Sequence, residues 1–172
     1  MSTASPRAKK PAAVARVAHD TPVECTTVAA WERWLKRHHA TAAGVWIRMA
    51  KKASGIASVD HPEALEVALC YGWIDGQRKS DGDQHFLQRF TPRTARSTWS
   101  KINRDKVLKL IDDGRMQPAG LAEIERARAD GRWDAAYDAQ SVATVPPDLQ
   151  AALDANRKAK AFFATLDSRN RF

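Results

Sequence analysis

The residues best suited to chemistry lie between Trp73 and Lys101. One carboxylate, Asp75, stands beside Gly76. Arg78, Arg89, Arg93 and Arg96 follow it, interleaved with Trp73, Phe86, Phe90 and Trp99. Gln77, Lys101 and the hydroxyls of Thr91, Thr94, Ser97 and Ser100 add further hydrogen-bonding groups. Guanidinium forks hold a carboxylate or phosphate through paired hydrogen bonds, and aromatic faces stack on flat ligands. The candidate ligand-binding set is therefore Trp73, Asp75, Gln77, Arg78, Arg89, Arg93, Arg96, Trp99 and Lys101, with a small anion as the ligand. Asp75 is the candidate acid or base if there is catalysis. The competing structural reading pairs Asp75 with one of these arginines and places the aromatic rings in the core.

Other chemistries find no support. The chain has no P-loop, no dinucleotide fingerprint, no Gly-x-Ser-x-Gly elbow and no His-Glu-x-x-His pair. Their absence weighs against a common enzyme class. The two cysteines, Cys25 and Cys70, lack zinc-type spacing and are expected as buried small hydrophobes in a reducing cytosol. No metal and no cofactor are expected. Neither a secretory h-region nor an apolar run of membrane-spanning length is present, so the expectation is a cytoplasmic protein without membrane insertion.

The net charge of +8 is localised. Residues 86–109 carry Arg89, Arg93, Arg96, Lys101, Arg104, Lys106 and Lys109 against Asp105 alone. Residues 1–22 carry Arg7, Lys9, Lys10 and Arg16 against Asp20. A concentrated positive segment points to an anionic partner more than a uniformly basic surface does.

The elements that must position these groups can be read from pattern. Residues 1–22 lack an apolar period and read as a disordered basic tail, with 23–172 as a single domain. Thr26 or Thr27 can cap a first helix with Trp31, Trp34 and Leu35 on one face. Gly44 opens a strand in which Val45, Ile47 and Met49 alternate with Trp46 and Arg48. Asp60 and Glu63 form a capping box before a second helix that stops at Gly72. Asp81-Gly82 between strand-like runs marks a β-hairpin over about 73–90, with Trp73 opposite Phe90. Asn103, Pro118 and Thr144 are expected to start three further helices, and a last one carries Phe162, Phe163 and Leu166. Strands in the N-terminal half and helices in the C-terminal half give an α+β class with a small antiparallel sheet.

Three stretches resemble the YdeI/OmpD-associated, or bacteriocin-protection, family of bacterial proteins. They are EALEVALCYGWIDGQRK (Glu63–Lys79), LQRFTPRTARSTWSKIN (Leu87–Asn103) and GRMQPAGLAEIERARADGRWDAAY (Gly114–Tyr137), and GVWIRMAKKASG (Gly44–Gly55) also fits. The resemblance runs from about Trp31 to Phe172. It implies a soluble bacterial protein linked to tolerance of bacteriocins or antimicrobial peptides, with no agreed molecular activity or catalytic residues. Relatives generally continue into another helix past Arg171–Phe172, so the chain looks short at its C-terminus. An exposed apolar patch at Phe162, Phe163 and Leu166, or self-association through that helix, is expected.

Three functions follow. In the first, the protein binds a partner or a small anionic ligand through 73–101, in a pocket of converging arginines. In the second, it is a small enzyme whose Asp75 opens to a cleft without a permanent ion-pair partner. In the third, it binds nucleic acid weakly and nonspecifically, with Trp99 or Phe90 exposed for stacking.

Overall fold

The structure, a computed structural model, describes residues 16–138, 144–167 and 170–171, and of residues 18 and 20 the backbone only. The chain divides into two compact units, Met1–Pro92 and Arg93–Phe172. The class is α+β: a four-stranded sheet in the N-terminal half and helices through the C-terminal part.

In the first unit the strands β1 (Val17–Glu24), β2 (Ala42–Ala50), β3 (Trp73–Asp81) and β4 (His85–Pro92) stand in the order β1-β2-β4-β3. β1 runs parallel to β2, and the other neighbours are antiparallel. A parallel neighbour needs a crossover, and α1 (Val28–His38) lies between β1 and β2 in the chain. Thr27 caps α1, accepting from Ala30 N–H. The capping box of Asp60 and Glu63 starts α2 (His61–Cys70) with both reciprocal bonds in place. Residues 17–22, read from composition as part of the tail, belong to β1. Its pairing along β2 supplies the order that local pattern does not. Residues 1–15 of that tail lie outside the described residues.

The core forms where the helices meet one face of the sheet. Val45, Ile47 and Met49 are fully buried on β2, and Val45 is paired with the equally buried Phe90. Trp31 stacks on Trp34 at 5.4 Å and meets Phe90 at 5.4 Å, while Trp34 meets Trp73 edge-on at 5.9 Å. The Trp31 indole N–H donates to Ala64 O at 3.0 Å, tying α1 to α2. Cys25 and Cys70 are both buried, and burial pushes the Cys25 thiol up to about 11.

The hairpin is present, but its register differs from the alternating reading. Trp73 faces Pro92 and Asp75 faces Phe90, whereas Arg78 faces Gln88. Three steps along β3 thus match two along β4, so Gly76–Gln77 forms a bulge. Gln88, only 2% exposed, fills it. Its amide nitrogen reaches Gly76 O at 3.1 Å and Gln77 O at 3.2 Å, and its carbonyl oxygen accepts from Arg78 Nε at 3.0 Å. Residues 82–84 close the turn, with Gly82 in the left-handed region at φ 73 that favours glycine.

The second unit holds α3 (Lys101–Asp112), α4 (Pro118–Ala129), α5 (Pro147–Ala155) and α6 (Arg157–Thr165). Two starts differ from expectation. Ser100 caps α3 by accepting from Asn103 N–H, which makes Asn103 the third helical residue. α5 begins at Pro147, and Thr144 does not cap it, because Pro147 fixes the first turn. On α6, Phe162 is 68% exposed, while Phe163 and Leu166 are half-buried. No helix among the described residues is long and apolar enough to cross a membrane.

Candidate functional site

The boundary after Pro92 divides the predicted constellation. Trp73, Asp75, Gln77, Arg78 and Arg89 lie in the first unit, and Arg93, Arg96, Trp99 and Lys101 in the second.

In the second unit, the residues with most ligand-like chemistry serve packing. The Arg93 guanidinium is buried, stands 3.7 Å from the Trp99 ring centroid and donates to Thr98 O at 2.9 Å. Trp99, 2% exposed, packs edge-on against Trp133 at 5.1 Å. Arg104 and Arg128 each stand 5.1 Å from the Trp133 ring. Cation–π contacts of this kind attach charged side chains to a buried aromatic pair. Arg96 is exposed on the turn stabilised by Thr94 and Ser97. Lys101 pairs with Asp138 at 2.7 Å.

In the first unit, Trp73 is core, 1% exposed, with its indole N–H on His39 O at 3.2 Å. Gln77 is exposed and contributes its carbonyl to the bulge. Asp75 has a partner that sequence reasoning missed. His61 Nε2 lies 2.9 Å from Asp75 Oδ2, with both side chains a little over one quarter exposed. The partner is neither an arginine nor absent. Two constraints place it. The capping box fixes His61 as the first residue of α2, and pairing with Phe90 turns Asp75 towards the helix side of β3.

Beside this pair opens a cleft of about 430 Å3. Its walls include Lys51, Lys52, Ser58, His61, Arg78 and Phe86. The volume falls in the usual range for small-ligand sites. Arg78 holds one side, its guanidinium 4.4 Å from the Phe86 ring and its Nε bonded to Gln88. Lys51 reaches from the opposite loop and donates to Gly82 O at 2.9 Å. That loop is fixed by Ser58, which accepts from Ala50 N–H and donates to Val59 O, and by Val59 N–H on Cys25 O. Three basic residues, Lys51, Lys52 and Arg78, thus line the cleft together with one acidic residue, Asp60. The cleft combines basic side chains, an apolar wall at Phe86 and an imidazole held by Asp75.

Lys51, Lys52 and His61 were not among the sequence candidates. The available signals were a lysine doublet directly after an alternating strand and a histidine inside a capping box. Phe90, like Trp99, is buried rather than exposed for stacking. Among the described residues no group of three or more His, Cys, Asp or Glu stands ready to hold a metal ion.

Comparison with known proteins adds family membership but no activity. A family model described as "Domain of unknown function (DUF8412)" matches residues 23–123, more than half of the chain. A second, described as "Bacteriocin-protection, YdeI or OmpD-Associated", matches residues 142–172, a short and partial match over the stretch that holds α5 and α6. The motifs at 44–55, 63–79 and 87–103 therefore fall within the first match. No curated protein and no solved structure matches the chain significantly.

Proposed function

This chain belongs to the DUF8412 family, a domain of unknown function, and we propose that it binds a small anionic ligand in the cleft beside the β3–β4 hairpin. The observation that carries this reading is the convergence of Lys51, Lys52 and Arg78 on one cleft with His61 at its edge. Ligands with several anionic oxygens, such as phosphates and small polycarboxylates, match three cations and a ring nitrogen. The partial bacteriocin-protection match supports a physiological setting: tolerance of bacteriocins or antimicrobial peptides in a bacterial cytoplasm, exerted through the bound anion or a protein partner.

The test is thermal unfolding of the whole chain with inorganic phosphate, pyrophosphate and citrate at low and moderate salt. A ligand that binds only the folded state adds about 2.7 kcal/mol at a hundred times its Kd. One of these anions is expected to raise Tm at both salts, and the rise is expected to be lost in Arg78→Ala and in Lys51→Ala. A rise unchanged in both variants, or none with any of the three anions, contradicts the reading.

The His61–Asp75 contact favours a second reading. Asp75 accepting from the Nε2–H leaves Nδ1 as the lone-pair nitrogen, the tautomer a general base needs. In that case His61 takes the proton from the substrate and Asp75 orients the ring. NMR of a panel of phosphorylated and carboxylated metabolites in D2O tests it. Deuterium exchange beside the anionic group, lost in His61→Gln, is the expected result, and a panel without exchange leaves the cleft a binding site only.

A further inference from the structure

The face of the sheet opposite the helices carries a different chemistry. Pairing of Val45 with Phe90 and of Ile47 with Gln88 turns these residues inward, so the alternate set projects the other way. That set brings together Trp46 paired with Arg89, Arg48 paired with Leu87, and Lys79 paired with Leu87. Trp46 and Leu87 are half-buried. The Lys79 ammonium stands 4.5 Å from the Trp46 ring and the Arg89 guanidinium 5.6 Å from it. Gly44 makes room for Arg89. A Cβ there would stand 2.8 Å from Arg89 Nη2 and 3.0 Å from Phe90 O. Arg48 is taken up by Glu24 at 2.9 Å and Asp81 at 2.6 Å. Lys79 and Arg89 have no carboxylate partner among the described residues.

We propose that this face, with Trp46 as the stacking ring and Lys79 and Arg89 as the phosphate-binding cations, is a binding surface for single-stranded nucleic acid. An indole with two cations beside it, on the neighbouring strands β4 and β3 and without acidic partners among the described residues, suits a ligand that is flat and aromatic at one point and anionic next to it, which describes a nucleotide within a strand. Base stacking on an aromatic ring combined with cations along the backbone is the general solution for sequence-tolerant single-strand binding. A duplex keeps its bases stacked on one another and leaves no free base face for the Trp46 ring, whereas a single strand offers one. The chain reaches this sheet through its edge strand β1, which Arg7, Lys9 and Lys10 precede in the sequence. None of the three binding residues lines the cleft at His61, so this surface stands independently of it.

The test is fluorescence anisotropy of short labelled oligothymidylate and oligouridylate with the whole chain, across a range of salt. Binding that weakens with salt is expected. Trp46→Ala weakens it about tenfold, and Trp46→Phe, which keeps a ring, recovers most of the loss. The double variant Lys79→Ala, Arg89→Ala lowers the slope of log affinity against log salt by about 1.4. Thermal melts verify that each variant folds. If Trp46→Ala does not fold, Trp46→Leu keeps the apolar bulk without the ring and replaces it. No binding by the native chain at low salt, equal binding by the ringless variant, or equal binding of the matching duplex overturns the proposal.

Discussion

Trp31→Ala is expected to remove about 3–5 kcal/mol of stability, read by urea unfolding followed by circular dichroism. The side chain is fully buried and touches three parts of the first unit at once. Its ring lies 5.4 Å from Trp34 within α1 and 5.4 Å from Phe90 on β4, and its N–H reaches Ala64 O on α2. Truncation to Ala removes these contacts and leaves a cavity that close-packed neighbours fill only in part. Trp31→Phe keeps most of the apolar contact and loses the hydrogen bond, so its cost is smaller, about 1–3 kcal/mol. A loss below about 1 kcal/mol in the Ala variant would contradict the packing described, since even a single buried methylene is worth about 0.8 kcal/mol.

The second large effect is expected in the other unit. Glu123→Ala costs about 3 kcal/mol. Glu123 is 2% exposed, and its carboxylate pairs with Arg126 and, at 3.4 Å, with Arg132. Arg132 in turn donates to Thr94 O at 3.2 Å and Ser97 O at 2.9 Å, so the carboxylate holds the 94–97 turn through the arginine. Removing one partner of a buried pair leaves the other desolvated without a counter-charge. Asp130, 2.8 Å from Arg132 Nη2, keeps part of that compensation and places the loss at the lower end of the range for such pairs. Glu123→Gln retains an acceptor of the same shape and falls between native and Ala. Equal stability of the Ala variant and the native chain in urea would mean that the pair contributes nothing net, as an exposed pair would.

The local elements were legible because their causes are local. Thr27 before an apolar stripe and the Asp60/Glu63 box specify helix starts within four residues of sequence. The hairpin was legible from Asp81-Gly82, but its register was not. The bulge at Gly76–Gln77 is stabilised by Gln88 from the neighbouring strand, and alternation along β3 carries no trace of that. The same shift decides the site. It faces Asp75 with Phe90, on the side where His61 stands, and this pair is fourteen residues apart. Arg93 and Trp99 have the residue types of a ligand site, and sequence cannot distinguish an arginine that stacks on a core ring from one that awaits a phosphate. Lys51 and Lys52 lie in the connection between β2 and α2, where no periodic pattern marks them, although connections on a rigid scaffold are where binding residues concentrate. The helical C-terminal half was readable from its periodicity, while Ser100 displaced Asn103 as the cap because a helix start is set by which side chain reaches the third N–H.

The most direct test of the proposed anion binding in the cleft is a titration of the 15N-labelled chain with pyrophosphate, followed by amide NMR. Saturable shifts concentrated in residues 50–61, at Arg78 and at Phe86, and abolished by Arg78→Ala, are the predicted result. Shifts that never saturate, or that spread over the basic surface and persist in Arg78→Ala, would contradict it.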